Sequence, residues 1–430
     1  MRNKIAILSV LVLLMPFFAL SQNVKIVGTT NRPNTLVRLM SCTDKLTYFE
    51  TQLAETQSDK DGKFAFETTI NEITPVDIVV GLDHVDMIVC PNGNYDIEIE
   101  VNDRAEDKSF FEKEPPEMYI NTIDDGGFYA QYLAVAEIVD YFLYDNAYDI
   151  IQKRNLKLLD ELDNQINTSV GEIKYKFISD FVKYRKASVI MAVNQQKVLK
   201  EYFDNQEVLY SQYAYMDVFQ EVFKTVTPDA DFLSRNKQLA ELINLNNVRK
   251  CFFSNACDKK YALKTVNDIK KSSKYVKNQE VADHIIAQIN DLTYDSKAPD
   301  FNLKDNLGKV VQLSDYQDDM VLLQFVDRYS PLNEHEFSVL NELQKQWNDT
   351  IQVLTIATKE TFDDYVQLFE KQGYKWPVLN LNFNILLLEK YHIVMFPSYV
   401  ILKKNGRVGM APAPAPDHNL ENHVRRISRY

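Results

Sequence analysis

Two cysteines, Cys251 and Cys257, are the only pair of thiols close enough in this sequence to suggest thiol chemistry. On one continuous helix, a separation of six residues places the two side chains on opposing faces, beyond the reach of a disulfide. A break near Ser254 and Asn255 would bring them together. Three interpretations remain open: a structural disulfide between helices, two buried free thiols, or a redox pair that supports thiol–disulfide exchange.

The remaining cysteines and the histidines indicate no further reactive centre. Cys42 and Cys90 lie on or beside predicted strands, and the sequence does not decide whether they pair. The six histidines are isolated, and His418 and His423 are five residues apart, whereas a spacing of four stacks two ligands on one helix face. The sequence also lacks a phosphate-binding loop and a dinucleotide fingerprint. We therefore predict neither a metal site nor a cofactor.

A second place for chemistry is the helix start that follows Tyr329. Ser330 is a suitable N-cap, Pro331 fits the first helical position, and Glu334 lies favourably in the first turn. A serine hydroxyl forms no disulfide, and it keeps its proton near neutral pH unless a strong base lies beside it. His335 lies more than one turn beyond the cap, and no acid is specified to orient it. These residues therefore predict a helix start without covalent chemistry.

The elements around this helix start alternate between strand and helix, which is typical of a mixed α/β sheet. The carboxyl end of a buried strand leads directly into the helix, and a second strand and helix follow it in the chain. The predicted elements are strands at Met320–Val326, Ile351–Ala357 and residues 398–402, and helices at Pro331–Trp347 and residues 361–372.

Residues 298–430 resemble the thioredoxin-like domain of exported thiol–disulfide oxidoreductases and peroxiredoxin-like proteins. The resemblance rests on the predicted first central strand and on short stretches that match an entry hairpin and a cis-proline segment: Ala298-Pro299-Asp300-Phe301, Gly308-Lys309-Val310-Val311 and Met395-Phe396-Pro397-Ser398. It implies an α/β thioredoxin-like fold for this third of the chain.

The resemblance also locates a candidate site, which departs from the family pattern. Where the family carries Trp-Cys-x-x-Cys, this chain reads Tyr329-Ser330-Pro331-Leu332-Asn333, so both redox cysteines are replaced. Family members hold an extended peptide in a shallow groove, which implies binding residues Tyr329, Ser330, Asn333, Phe396 and Pro397 here. The proline would present backbone hydrogen-bonding groups to such a peptide. Alternatively, Pro397 is present only because the turn of the fold needs it.

The rest of the chain divides by its periodicity. Residues 22–110 contain short alternating strands separated by turns, which predict a β-sandwich-like domain. This part resembles the amino-terminal β-domain found ahead of thioredoxin-like domains in exported bacterial proteins. Residues 111–127 are interpreted as a linker. Residues 128–292 have helical periodicity and predict a helical domain, and the thioredoxin-like domain then occupies residues 293–430. The predicted fold class is therefore multidomain α+β.

The amino terminus and the charge balance predict an exported, acidic protein. Residues 1–21 have a basic start, an apolar run and a small-residue cleavage site, as expected of a signal peptide. An uncleaved anchor helix is the alternative, and no later segment is apolar enough to span a bilayer. The formal net charge of −13 excludes nucleic acid as a partner, because the lysines and arginines form no basic stripe. We expect a periplasmic location.

These observations favour a redox-inactive thioredoxin-fold protein that is not an enzyme. It would act as a binding or scaffolding module for extended peptides or envelope proteins. The alternative function is a thiol–disulfide oxidoreductase that uses Cys251 and Cys257 in place of the missing motif. A structural partner of an envelope assembly is a third possibility.

Overall fold

The computed structural model describes residues 23–103, 110–112, 114–254, 256–328, 331–347 and 351–428; for residues 331–333 and 383 it describes the backbone alone. The predicted signal peptide, residues 1–21, and the positions Tyr329 and Ser330 lie outside the described residues.

The amino-terminal part consists of two four-stranded sheets. Alternation of apolar and polar residues creates them: in the strand Asn94–Glu100, Tyr95, Ile97 and Ile99 are buried between acidic and polar side chains. One sheet has the order β4-β1-β7-β8 and the other β3-β2-β5-β6. The strands are β1 Asn23–Thr30, β2 Leu36–Ser41, β3 Thr51–Gln57, β4 Lys63–Thr69, β5 Thr74–Val80, β6 Asp83–Val89, β7 Asn94–Glu100 and β8 Glu117–Asp124.

Strand β8 lies inside residues 111–127, which the sequence analysis interprets as a linker. It pairs antiparallel with β7 at the edge of its sheet. The register shifts between Asp96 and Ile97, where Asn121 is the extra residue opposite them. This bulge places Met118, Ile120 and Ile123 against the core in a pattern that is no longer a strict alternation, so the strand is hard to recognise from its sequence.

The middle part is helical. In its first helix, apolar residues that are three or four positions apart face the core, and Val135 and Val139 are fully buried. A wider helical turn, Leu199–Phe203, follows the fifth helix. The helices are α1 Phe128–Asp145, α2 Ala147–Ile151, α3 Leu158–Ser169, α4 Lys176–Val193, α5 Gln195–Val198, α6 Tyr213–Thr225, α7 Ala230–Arg235, α8 Lys237–Phe253, α9 Lys259–Ser272 and α10 Val276–Asn290.

The carboxyl-terminal part is a seven-stranded mixed sheet of order β10-β9-β13-β12-β11-β14-β15. Strands β11, β12 and β13 are parallel, and β14 runs antiparallel to β11. The strands are β9 Asn302–Asp305, β10 Val310–Gln312, β11 Met320–Val326, β12 Ile351–Ala357, β13 Val378–Asn380, β14 Ser398–Lys403 and β15 Arg407–Ala413. The helices are α11 Pro331–Trp347, α12 Phe362–Gln372, α13 Leu387–Lys390 and α14 Leu420–Ile427, with 3-10 turns at Leu313–Tyr316, Leu381–Phe383 and Lys404–Gly406.

Helices cover both faces of this sheet and produce two separate cores. On one face α11, α12 and α14 pack around Phe337, Tyr365 and Val424. On the other face α13 and the entry hairpin pack around Phe325, Leu354 and Tyr391. Every residue of β11 is buried, as expected of a central strand with both faces covered.

The sandwich and the helical part share one hydrophobic core, which runs from Val24 in β1 to Ile289 in α10. The carboxyl-terminal part keeps its own two cores, and Leu82, Phe110 and Phe111 of the amino-terminal part pack against one of them. The predicted fold class is confirmed: a β-rich amino-terminal domain, a helical middle region and an α/β domain at the carboxyl terminus.

Candidate functional site

The candidate site lies where the carboxyl end of β11 meets the start of α11. Asp327 follows the strand and is buried; its side chain accepts a hydrogen bond from Thr358 Oγ1 at 2.7 Å. Its carbonyl accepts another from the Tyr365 hydroxyl at 2.7 Å. Thr358 lies just before α12 and Tyr365 lies within it, so these two hydrogen bonds tie the end of β11 to the start of α12. A rigid platform of this kind can hold a helix start in a constant position.

Three of the five predicted binding residues lack a described side chain. Tyr329 and Ser330 lie outside the described residues, and Asn333 is described by its backbone alone, within α11. Their part in a groove therefore stays a prediction. Phe396 and Pro397 are described, and the peptide bond between them is cis.

A buried polar network lies beneath the helix start and was missed by the sequence analysis. The Tyr399 hydroxyl donates to Glu336 Oε2 at 2.7 Å and accepts from Gln324 Nε2 at 3.2 Å. Gln324 Oε1 in turn accepts from Thr355 Oγ1 at 2.9 Å, which also accepts from Trp376 Nε1 at 2.9 Å. The network joins α11 to three neighbouring strands, and such fully connected groups specify one arrangement of a core.

Glu336 is the ionisable member of this network. It is 4% exposed, and burial raises the pKa of its carboxyl, while the hydrogen bond from Tyr399 acts in the opposite direction. Its neighbour Glu334 is exposed on the other side of the helix. A signal was present in the sequence, because Glu336 falls on the same helical stripe as Leu340, Leu343 and Trp347.

Phe396 is covered by aromatic side chains from the amino-terminal part of the chain. The ring of Phe111 stacks on it with centroids 5.3 Å apart, and the ring of Phe110 meets it edge-on at 5.7 Å. The preceding residues, Val394 and Met395, remain exposed, Met395 by 64%. Phe396, one of the residues predicted to bind a peptide, thus already contacts two side chains of the same protein.

An open groove of about 520 Å³ adjoins this segment. Residues on both sides of Phe396 in the chain line it, namely Met395 and Ser398, and β15 supplies Met410 and Pro412. At its rim His392 Nε2 lies 2.9 Å from Asp291 Oδ2, and this hydrogen bond raises the pKa of the imidazole. The lining is mainly apolar, with polar groups at the rim.

The cysteines lie outside the carboxyl-terminal domain. The structure pairs Cys251 with Cys257 in a disulfide with Cα atoms 5.4 Å apart, because α8 ends at Phe253 and the chain turns back after Ser254. Cys42 and Cys90 are buried free thiols in the sandwich. Burial raises the pKa of both thiols, that of Cys90 to about 12. Neither thiol has the exposed, electropositive surroundings of a reactive cysteine.

Among the described residues, no three or more histidine, cysteine, aspartate and glutamate side chains are grouped so that they could hold a metal ion. Within that same part of the chain, no helix combines the length and the apolar character that a bilayer span requires.

The carboxyl-terminal domain is similar to known proteins. Residues 294–410 match the AhpC/TSA family. They form a thioredoxin-like domain of that type. The thiol-disulfide oxidoreductase ResA of Geobacillus kaustophilus is 26% identical over 134 residues, which are 31% of this chain and 76% of that protein.

Solved structures are similar to the same third of the chain. The thioredoxin domain of a thiol-disulfide oxidoreductase from Bacteroides vulgatus is 23% identical with a TM-score of 0.29, and the match covers 31% of this chain and 96% of that one. The exposed lipoprotein thioredoxin Etrx1 of Streptococcus pneumoniae is 26% identical with a TM-score of 0.26, covering 30% of this chain and 99% of that one.

The thioredoxin-like domain of this chain contains no cysteine, since Cys257 is the last in the sequence. What the domain retains is the buried strand, the helix start with its polar network, and the Phe396–Pro397 segment. The domain therefore offers no cysteine thiol for exchange.

Proposed function

We propose that this protein is a redox-inactive thioredoxin-fold protein of the cell envelope that binds extended polypeptides. The observation that carries the proposal is the absence of any cysteine after Cys257 in a domain of the thiol–disulfide oxidoreductase type. Thiol–disulfide exchange requires a thiolate that attacks a disulfide sulfur. The serine and asparagine at positions 330 and 333 cannot provide one.

Binding is the activity that the remaining features support. Thioredoxin-like domains expose a strand-like segment beside a helix start, where an extended peptide can add to the backbone. Phe396 and Pro397 hold that position here, beside an open apolar groove. The groove adds side-chain contacts to the backbone hydrogen bonds that such a segment offers.

The location in the envelope rests on the sequence and on the relatives. Residues 1–21 have the character of a signal peptide, and one similar structure is described as an exposed lipoprotein thioredoxin. The acidic net charge of −13 does not favour attachment to anionic lipid. Fractionation of cells that express the full chain tests the location, and recovery in the cytoplasm would contradict it.

The alternative oxidoreductase function would have to use Cys251 and Cys257. Cys251 lies in the last turn of α8, where the negative end of the helix dipole disfavours a thiolate. Reactive thiols in this fold lie at the opposite, amino-terminal end of a helix. The pair is also held outside the thioredoxin-like domain, so its surroundings support a structural disulfide.

An insulin-reduction assay separates the two functions. The parent protein should show the same rate as a Cys251→Ser/Cys257→Ser variant, that is, no acceleration over dithiothreitol alone. A Ser330→Cys/Asn333→Cys variant should gain activity of at least about tenfold over that background, since the helix start can lower a thiol pKa. Activity of the parent that disappears in the Cys251→Ser/Cys257→Ser variant would overturn the proposal.

The binding arm of the experiment uses an unfolded protein that has no free thiols. Reduced and carboxymethylated α-lactalbumin should bind the chain, and Phe396→Ala should weaken this binding. The folded form of α-lactalbumin serves as the control and should not bind. Failure of the unfolded form to bind either the parent or the Phe110→Ala/Phe111→Ala variant, which uncovers Phe396, would leave the proposal without support.

A further inference from the structure

The connection between β7 and β8 is much longer than is needed to join two neighbouring antiparallel strands. The two strands are antiparallel neighbours, which a turn of two to five residues can join. Instead the connection spans residues 101–116 and carries Phe110 and Phe111 away from the sandwich. Connections of this length in compact domains are usually either functional loops or linker segments, so the contacts that this one makes decide between the two.

Phe110 and Phe111 have no apolar neighbours in this connection with which they could form a local cluster. Between Val101 and Pro115 they are the only large apolar residues, and the residues around them are mostly charged. Both rings are instead packed against the core of the thioredoxin-like domain. The positions of the two phenylalanine rings therefore depend on the thioredoxin-like domain and not on their own loop.

The contacts with Phe396 are close and well ordered in geometry. The three rings form a closed cluster: Phe110 and Phe111 are 5.1 Å apart edge-on, Phe111 stacks on Phe396, and Phe110 meets Phe396 at a right angle. Stacked and edge-on pairs at these distances are the preferred arrangements of aromatic rings. Phe396 precedes Pro397 directly, so the cluster sits at the predicted peptide-binding segment.

We propose that the surface at Phe396 is a binding site for an extended protein segment with two adjacent aromatic side chains, and that Phe110–Phe111 is an internal stand-in for it. An external segment displaces the stand-in and takes its place against Phe396. This inference rests on the function proposed above and adds the class of ligand.

The tether determines how the site behaves. A segment of the same chain acts on its own site at a high effective concentration, on the order of millimolar. An external ligand must compete with that concentration, so weak ligands bind only when the internal segment has been released. The arrangement therefore favours ligands that present both rings at once over single exposed aromatic residues.

The internal sequence itself supplies the probe. A fluorescein-labelled peptide with the sequence of residues 108–114, Lys-Ser-Phe-Phe-Glu-Lys-Glu, should bind a Phe110→Ala/Phe111→Ala variant at least about tenfold more tightly than it binds the parent, because the tethered competitor has been removed. The same peptide with alanine at both phenylalanine positions should not bind. Adding Phe396→Ala to the variant should abolish binding. Fluorescence anisotropy measures each dissociation constant.

Two variants separate the opening of the site from a general loosening of the domains. Leu82 packs on the same core of the thioredoxin-like domain as the aromatic pair, so Leu82→Ala weakens the contact between the domains while the pair remains. Leu307 is 85% exposed, so Leu307→Ala is a neutral surface control. Both should bind the peptide as weakly as the parent does. A gain in Leu82→Ala equal to that of the aromatic variant would overturn the proposal.

A second measurement does not depend on the folding of the variant. The parent carrying 4-fluorophenylalanine at position 110 should show a change in its ¹⁹F resonance when a large excess of the peptide is added, and no change with the alanine peptide. An unchanged resonance while the peptide is bound would show that the peptide binds elsewhere, which overturns the inference.

The outcomes also distinguish the inference from the function on which it rests. Binding of carboxymethylated α-lactalbumin without any preference for the aromatic peptide keeps the proposed function and defeats the inference. Equal affinity of parent and aromatic variant for the peptide has the same meaning. Absence of binding of both probes to a folded aromatic variant, checked by circular dichroism, defeats both.

Discussion

Arg38 on strand β2 and Glu389 on helix α13 form a two-pronged ion pair between the sandwich and the thioredoxin-like domain. Arg38 Nη2 donates to Glu389 Oε1 at 2.7 Å, and Nη1 donates to Oε2 at 3.0 Å. The arginine side chain is 10% exposed and the glutamate 42%. The two parallel hydrogen bonds hold both side chains in one geometry, so the pair is a specific polar contact between the two domains.

Breaking this pair should cost stability. Glu389→Gln should lower the free energy of unfolding by about 1–2 kcal/mol, because Arg38 keeps its buried position and loses its charged partner. A double-mutant cycle with Arg38→Gln should give a coupling energy of about 1 kcal/mol, measured by urea denaturation. The exposed pair Lys345 and Glu342 is the control, with an expected coupling near zero. Equal coupling in both cycles would contradict the prediction.

A second prediction concerns two aspartates that lie opposite each other on neighbouring strands of one sheet. Asp77 on β5 lies directly opposite Asp86 on β6. Burial, the hydrogen bond to Asp86 and the charges of Asp86 and Glu50 raise the pKa of Asp77 to about 6, against the opposing effect of Lys45. An aspartate in the unfolded chain has a pKa near 3.9. Between these values the folded state binds more protons, so stability falls as the pH rises.

Asp77→Asn should therefore stabilise the protein near neutral pH. We expect a gain of about 1–2 kcal/mol in the free energy of unfolding at pH 7.5, a range reduced because the side chain is only half buried. The gain should shrink steadily as the pH is lowered from 6 toward 4. Asp61→Asn, at an exposed turn position, is the control and should have no such pH dependence. A gain that is constant from pH 4.5 to 7.5 would refute the argument.

The third prediction concerns the disulfide between Cys251 and Cys257. Because it closes a small loop, Cys251→Ser/Cys257→Ser should lose about 2 kcal/mol of stability. Reductant should destabilise the parent by a similar amount and leave the variant unchanged. Alkylation followed by mass spectrometry should find Cys42 and Cys90 modified only after unfolding. Free Cys251 and Cys257 in the unreduced protein would contradict the pairing.

The fourth prediction tests the network beneath α11. Tyr399→Phe removes the hydroxyl that donates to Glu336, and should cost about 1–3 kcal/mol of unfolding free energy. Without this donor the pKa of Glu336 should rise further, so the cost should be larger at pH 7.5 than at pH 4.5. Tyr365→Phe is a matched control, because its hydroxyl donates to the neutral carbonyl of Asp327. Its cost should not vary with pH.

Local signals predicted the elements of the carboxyl-terminal domain well. Strands β11 and β12 and helix α11 begin and end at the predicted residues. Continuous apolar runs mark the two buried strands, and Pro331 marks the start of the helix. Helix α12 ends at Gln372 because Gly373 adopts the left-handed conformation, with φ of 73°, that terminates a helix.

The relationships across the chain could not be predicted in this way. Glu336 and Tyr399 meet only because α11 crosses back over the sheet beside β14, and no local pattern contains that contact. The same holds for Phe110 and Phe396, which lie in different domains. The sequence did mark these residues as unusual: Glu336 is an acidic residue in an apolar stripe, and Phe110 and Phe111 are two phenylalanines in a charged loop. Their contact partners could be identified only from the folded structure.

The pairing of the two close cysteines lies between these cases. The six-residue spacing left three interpretations open, and the outcome depended on where α8 ends. The helix ends at Phe253 with Ser254 at its C-cap, and Cys257 lies beside Cys251. The end point of a helix, which the spacing of the cysteines does not contain, therefore determined which interpretation holds.

The continuity of the first core has a consequence for how such chains can be recombined. Ile289 still packs with the sandwich and the helices, whereas Leu292 already packs with the thioredoxin-like domain. The boundary at which one carboxyl-terminal domain could be exchanged for another therefore lies between Ile289 and Leu292. A different carboxyl-terminal domain joined there would leave the first core whole, and it would have to cover Leu82, Phe110 and Phe111, which pack against the present domain. A splice between β8 and α1 would instead divide the first core in two. The sandwich and the helices therefore form one packing unit, which such an exchange would have to move as a whole.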